Sequence, residues 1–138
     1  MRARPDVRTI RDPYNGEELT AFPAVDCDVA VIHVLRADRA GNAVLGGNPT
    51  IDLELTMVAR DVILTAEEVV EALDAPIDLV GQPVSAVVSA PFGAWPTSCY
   101  PRYPLDGEEI LRYIDACNAG KFAEYVSGME QRVPAEEA

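Results

Sequence analysis

The sequence predicts an α/β fold, an open and mostly parallel sheet flanked by helices, with an N-terminal β-hairpin ahead of it. Three observations carry that expectation. Apolar, β-rich runs at 28–36, 62–64 and 83–89 alternate with stretches of helical period, the order that builds parallel sheets. An Asn15-Gly16 turn between two short runs marks a hairpin. The chain has 138 residues, 49% hydrophobic and 25% charged, which suits one globular domain with its own core. Residues 1–130 are expected to form that single α/β domain and 131–138 a polar tail.

In chain order, Val7–Ile10 and Leu19–Phe22 flank the turn sequence DPYNGE. The buried strand at 28–36 follows, its alternation placing Val29, Val31, His33 and Leu35 on one face and Ala30, Ile32 and Val34 on the other. A turn over Asp38–Asn42 leads into a short strand, Ala43–Leu45. Asn48-Pro49-Thr50 opens a helix with Ile51, Leu55 and Val58 at a 3.6 period and Leu53 and Met57 on an adjoining stripe. After Val62–Leu64, the segment Thr65-Ala66-Glu67-Glu68 fits a capping box, with Thr65 as N-cap and Glu68 at N3 of a brief helix stopped by Pro76. The strand Pro83–Ser89 runs into the proline- and aromatic-rich loop APFGAWPTSCYPRYPLDG. Asp106 and Glu109 frame a second capping box, Ile110, Leu111, Ile114 and Cys117 give a helical face, and a last helix is predicted over Phe122–Met129.

Charge and composition exclude several functions. The net charge is −12, and it is uneven: residues 1–60 carry seven basic and nine acidic groups, residues 61–138 four and fourteen. Nucleic acid needs a basic stripe, and the only loosely basic stretch is Arg2, Arg4, Arg8 and Arg11 on a solvated end, so neither nucleic acid nor an anionic membrane is expected as partner. No apolar run approaches the ~18 residues of a membrane helix, and no apolar segment follows the N-terminal arginines as in a secretory signal. Cys27, Cys99 and Cys117 are odd in number and contain no C-x-x-C, which points to buried thiols in a reducing, cytoplasmic setting. Neither G-x-G-x-x-G nor G-x-x-x-x-G-K is present.

His33 is the sole histidine, so a clustered zinc site of His and Cys ligands is not expected, and no metal is assigned. A nucleophilic triad would have to draw its base from mid-strand; a hydrogen-bonded strand histidine is the favoured reading.

Four segments in order, DPYNGEEL, PAVDCDVAVIHVLRADRAGN, DVILTAEEVV and SAVVSAPFGAWPTSCYPRYPLD, resemble the carboxy-terminal half of the alpha subunits of family I CoA-transferases, of the glutaconate CoA-transferase type. The resemblance covers about residues 8–125. Its strongest pieces are D-V-A-V-I-H-V-L-R-A-D-x-x-G-N over Asp28–Asn42 and A-P-F-G-A-W-P over Ala90–Pro96. Two positions depart from the family: Trp95 stands where a G-A-H-P histidine is often found, and Gly81–Val88 differs from the usual P-G-x-x-V-D-A-V-V. The family's alpha subunits are about twice as long.

The resemblance implies a component of an acyl-CoA:carboxylate CoA-transferase that shapes the acyl-CoA pocket. Coenzyme A is then a substrate, and no tightly bound cofactor is implied. The glutamate nucleophile would come from a beta subunit, leaving no catalytic residue here. A separate N-terminal half of the alpha subunit is the second implied partner within an oligomer. The alternatives are a CoA-ester hydrolase or C–C lyase component, of the steroid-ring degradation type, and a non-catalytic assembly remnant. The charge of −12 offers little attraction for the phosphates of CoA, whose anionic end would rest on a more basic partner.

Two sets of residues are candidates for the pocket. Phe92, Gly93, Ala94, Trp95 and Pro96 follow the carboxyl end of a strand, where open α/β sheets hold ligands. Exposed aromatic and proline side chains there would form a rigid apolar wall, with Gly93 admitting a ligand to the backbone. Tyr100 and Tyr103 read equally as packing residues. Arg36, Asp38 and Asn42 surround Gly41 at the end of the 28–36 strand, where a turn role and an acid partner for Arg36 are the structural alternative to a pocket-edge role. Glu67 and Glu68 are read as cap and first-turn acid.

Overall fold

The computed structural model describes residues 4–47 and 49–134. Two strands, β1 (Arg8–Arg11) and β2 (Glu18–Ala21), pair antiparallel as the predicted hairpin and form a sheet of their own. The main sheet has four strands: β3 (Cys27–Asp38), β4 (Ala43–Val44), β5 (Ala59–Val70) and β6 (Val84–Ser89). Their spatial order is β4-β3-β5-β6. β3, β5 and β6 run parallel, and only β4 is antiparallel, so the mixed, mostly parallel α/β sheet is the predicted one.

The largest difference from expectation lies in β5. Thr65 does not start a helix: β5 continues through it as a 12-residue strand, matching the 12 residues of β3. The register pairs His33 with Thr65 and Arg36 with Glu68. Ten registered pairs with β3 fix the backbone donors and acceptors of this stretch, which a local cap could not do for more than one or two. The β-branched residues on both sides, Val62, Ile63, Val69 and Val70, favour the pleated form.

Strand alternation sorts the two faces as predicted. Ala30, Ile32 and Val34 of β3 and Val62, Leu64 and Ala66 of β5 are buried together, with Leu79 from the 71–83 segment and Leu55 against them. Helix α1 (Asp52–Val58) supplies Leu55, while its Ile51, Met57 and Val58 neighbours remain exposed. Thr50 has φ +44 and Ile51 caps the helix without a side-chain hydrogen bond; the predicted start at Asn48 lies outside the described residues. On the opposite face, Val31 is 62% and Val29 49% exposed beside His33, and Val88 of β6 is 46% exposed. β4 pairs with β3 only at Arg36 and Ala37, and β6 has a strand on one side alone.

Helix α2 (Gly107–Asn118) begins as foreseen, Asp106 accepting the Glu109 N–H at 3.0 Å. Glu109 does not complete the box; its carboxylate turns to Arg112 and to Arg132 (2.8 Å). Leu111, Ile114 and Cys117 of the expected apolar face are exposed. Helix α3 (Phe122–Ser127) is shorter than predicted, ending in a 3₁₀ turn over Met129–Gln131. Arg132 is itself tied back to the helices through Glu109 and the Tyr125 carbonyl. Among the described residues no helix is long and apolar enough to cross a membrane.

Candidate functional site

The parallel strands deliver three side chains to one place on the less covered face of the sheet. His33 comes from β3, Thr65 and Glu67 from β5 two residues apart, so both point the same way. Above them, the loop that leaves β6 returns over 90–103 and closes onto Glu67.

Glu67 is 5% exposed and is the hub. Its Oε1 accepts from His33 Nε2 at 2.7 Å and from the Tyr103 hydroxyl at 2.5 Å; its Oε2 accepts the Phe92 backbone N–H at 2.8 Å. Burial alone would raise a carboxyl pKa, yet the donors from Tyr103, His33 and Phe92 outweigh it and hold Glu67 below its ordinary value. The anion is therefore the resident form. Tyr103 responds oppositely: burial and the neighbouring Glu67 push its phenol well above the usual value, so it stays a donor. The same hydroxyl accepts the Ala94 N–H at 3.1 Å, and the Tyr103 ring stacks on Phe92 with centroids 5.1 Å apart.

An ionised Glu67 can only accept, which fixes the proton of His33 on Nε2. Nδ1 then meets Thr65 Oγ1 at 3.0 Å. This is the hydrogen-bonded strand histidine that was expected. The order carboxylate–imidazole–hydroxyl is also that of a nucleophilic triad, but Thr65 lines none of the four cavities around the sheet and its loop.

His33, Glu67 and Cys99 have donor atoms within 4.8 Å of one another, a trio that counting histidines alone does not reveal. The 2.7 Å His33–Glu67 contact is a hydrogen bond and leaves no space for an ion between them. Burial and the charge of Glu67 raise the Cys99 thiol above its ordinary pKa, so it is poorly suited as a thiolate ligand or nucleophile.

Three cavities surround this knot. One of about 600 Å³ is lined by His33, Gly46, Asp52, Ala94, Cys99 and Tyr100, among others. A second, about 440 Å³, lies between Phe92, Trp95, Tyr103 and Leu105 on one side and the start of α2 on the other. A small one of about 170 Å³ opens directly onto Glu67, Phe92, Arg102 and Tyr103. The predicted loop thus does sit at the carboxyl end of a strand and beside open space. Its details differ from expectation. Trp95 is buried, its indole N–H donating to Asp106 at 3.1 Å, so it supports the loop from beneath. Gly93 faces the imidazole: a Cβ there would stand 2.7 Å from His33 Cε1, and the close neighbour that needs glycine is the protein's own ring. Phe92 holds φ +56, an unfavourable conformation for a side-chain-bearing residue.

Arg36, Asp38 and Asn42 gather elsewhere. Asp38 is buried and accepts from the Ala40 and Asn42 N–H groups and from the Asn42 amide at 2.8 Å; the Asn42 amide, ahead of burial, keeps its pKa low. Asn42 Oδ1 in turn accepts the Gly81 N–H at 3.0 Å, and Gly41 takes φ +87. Arg36 pairs with Asp74 at 2.6 Å. Asp38 and Asn42 form a turn lock, Arg36 stands apart from it with Asp74, and none of the three lines the cavities above.

No protein-family model matches the chain. Among curated proteins it is 37% identical over 108 residues to the A-type subunit of 3-oxoadipate CoA-transferase from Pseudomonas knackmussii, covering 76% of this chain and 38% of that protein. It is 36% identical over 110 residues to the corresponding subunit of glutaconate CoA-transferase from Acidaminococcus fermentans, 75% of this chain and 34% of that one. The solved glutaconate coenzyme A-transferase of that organism superposes with a TM-score of 0.72 at 30% identity, over 92% of this chain and 41% of that one. The chain belongs to the CoA-transferase alpha-subunit family. It spans less than half the length of these curated relatives. The family's scaffold also carries other chemistry. The cholesterol ring-cleaving hydrolase IpdA subunit of Mycobacterium tuberculosis is 31% identical over 126 residues, 82% of this chain and 43% of that protein. The solved decarboxylase AibA/AibB gives a TM-score of 0.83 at 36% identity over 92% of this chain and 48% of that one.

Within this CoA-transferase relative, sequence reasoning singled out the loop and read Glu67 as part of a helix cap, where the structure places it on a strand against His33. The available signal was the β-branched residues on both sides of the Glu pair, Val62, Ile63 and Thr65 before it and Val69 and Val70 after it, which fit a long strand facing His33 as well as a strand followed by a cap.

Proposed function

We propose that the chain shapes the acyl-CoA pocket of a family I acyl-CoA:carboxylate CoA-transferase, with CoA thioester as substrate and the glutamate nucleophile supplied by a beta subunit. The observation that carries this reading is the state of Glu67. It is the buried carboxylate at the site, and both its oxygens are already taken by three donors. A carboxylate so engaged serves as an anchor for its surroundings, and attack on a thioester is left to a carboxylate from elsewhere.

In the reaction the resemblance implies, that partner carboxylate attacks the donor thioester carbonyl and expels CoA thiolate, giving an acyl–glutamyl anhydride. The thiolate then attacks the glutamyl carbonyl, forming a glutamyl-CoA thioester and releasing the donor acid; the reverse steps on the acceptor acid complete the exchange. This chain's contribution is the wall: Phe92, Gly93, Ala94, Trp95 and Pro96 set the loop over the cavities, and His33 presents a ring edge beside Ala94 and Cys99. The exposed valines of β3 and β6 call for cover, which further alpha-subunit sequence together with a beta subunit would provide. Free Cys27, Cys99 and Cys117 fit a cytoplasmic location.

A second reading, a component of a decarboxylase or hydrolase, is favoured by the higher TM-score to AibA/AibB than to the transferase. One experiment separates them: the chain is purified with what accompanies it, and glutaconyl-CoA is supplied with labelled acetate. Labelled acetyl-CoA from the complex but not from the isolated chain supports the transferase. Free CoA released by water, or labelled carbon dioxide from a carboxyl-labelled probe, supports the second reading. Exchange by the isolated chain overturns the partner requirement.

A further inference from the structure

The geometry points to Glu67 as the positioning residue of this site: one ionised carboxylate locks the His33 ring and the 90–103 loop into a single unit. The inference rests on the proposed acyl-CoA pocket for its consequence in catalysis, though not for its structural content. Three donors from separate places in the chain converge on these two oxygens. β3 contributes His33 Nε2, the first turn of the loop contributes the Phe92 N–H, and its far end contributes the Tyr103 hydroxyl. Tyr103 passes the constraint back to the middle of the loop by accepting the Ala94 N–H, and Cys99 pairs its backbone with Tyr103 at 3.1 Å. Phe92 and Ala94, each tied to the hub directly or through one hydroxyl, face different cavities.

The lock is specific for a carboxylate. Three donors converge on it and none of them is a fixed cation. An amide would turn one NH₂ toward a donor, the imidazole N–H, the phenol or the backbone N–H, and lose that bond. The unfavourable φ of Phe92 is held against relaxation by its N–H bond to Oε2. Glu68, one residue on, is exposed and reaches only Arg102.

The test uses the sole histidine as reporter. In the full chain, ¹⁵N NMR of Glu67→Gln should show the two imidazole nitrogen signals displaced, and amide hydrogen exchange at Phe92 and Ala94 faster by about ten-fold or more, the loss expected for a bond to a charged group. Exchange at Val62 and Leu64 should be unchanged, and Glu68→Gln should leave both the imidazole and Phe92 as in the parent. Should Glu67→Gln not fold, Tyr103→Phe is read instead, with faster exchange at Ala94 expected. An unmoved imidazole and unchanged exchange in a folded variant overturn the lock. In the assembled complex, with glutaconyl-CoA as probe, Glu67→Gln should raise KM more than it lowers kcat. A loosened loop with unaltered KM overturns the positioning role, whereas no turnover of any CoA thioester by the parent complex overturns the acyl-CoA reading while the NMR result still decides the lock.

Discussion

Two buried glutamates organise different parts of this chain, and they do so by different means. Glu67 sits on a strand, 5% exposed, and is satisfied by an imidazole, a phenol and a backbone N–H. Glu109 sits in the first turn of α2, 2% exposed, and is satisfied by the guanidinium groups of Arg112 and Arg132. Both carboxyls lie below their ordinary pKa in spite of burial, Glu67 through Tyr103, His33 and Phe92 and Glu109 chiefly through Arg132. Glu109 is neutralised where it stands, a cross-link that fastens the C-terminal segment to α2. Glu67 is hydrogen-bonded to no fixed cation and borders one small cavity, the condition in which a field can act on a ligand. Burial of a carboxylate therefore says little by itself. The kind of donor and the adjoining space set the two apart.

The contrast between the two glutamates breaks most sharply if Glu67 is removed. Glu67→Ala strands three half-buried donors, two of them on the loop itself, and should lower stability by about 4 kcal/mol in urea unfolding. A loss below about 1 kcal/mol would mean that water replaces the carboxylate freely and that no lock exists. Glu109→Ala should cost less, about 2 kcal/mol, because Arg112 and Arg132 reach solvent and can rehydrate. It should leave the His33 signals unmoved, since the two networks share no residue. A displaced imidazole in that variant would show the two networks to be coupled.

Titration sharpens the same contrast. Both glutamates have folded pKa values below the unfolded one, so the stability each contributes is present above about pH 4.5 and is lost as pH falls through the folded value. The groups facing Glu67 are His33, Tyr103 and Cys99, with Arg102 across the small cavity; those facing Glu109 are Arg112, Arg132 and Tyr125. The fall in urea midpoint between about pH 6 and about pH 3 should be smaller in Glu67→Gln and in Glu109→Gln than in the parent. An equal fall in all three would assign the acid sensitivity to other carboxylates.

Much of this architecture is legible in the sequence. The alternation of Ala30, Ile32 and Val34 against Val29, Val31 and His33 reads directly as a two-faced strand, and Asn15-Gly16 as a hairpin turn. Asp106 before Gly107 reads as an N-cap. The hub does not, because T-A-E-E satisfies the local rule for a helix start while ten long-range pairs with β3 decide otherwise. Trp95 misleads for a similar reason: an aromatic in a proline-rich loop reads as exposed, and only the Asp106 carboxylate, 11 residues on, supplies the acceptor that permits its burial. Local patterns specified elements here, and the partners that turn a loop into a site came from pairings no local window contains.

The smallest expected effect separates the two explanations of the Glu67-Glu68 pair. A capping glutamate at N3 would be worth on the order of 1 kcal/mol. On a strand, Glu68 has only its contact with Arg102 at 2.5 Å, and both side chains are substantially exposed, 47% and 36%. Exposed ion pairs of this kind are worth about 0.5 kcal/mol or less, because both charges are solvated when apart and each side chain loses rotamer freedom when together. Glu68→Ala should therefore shift the urea midpoint barely beyond error at low salt, and not at all near about 1 M salt, where exposed charges are screened within about 3 Å. A loss of about 1 kcal/mol or more that persists in high salt would restore the helix-cap reading and with it a shorter β5. Adjacent residues on one strand would then no longer differ as the alternation of its two faces requires.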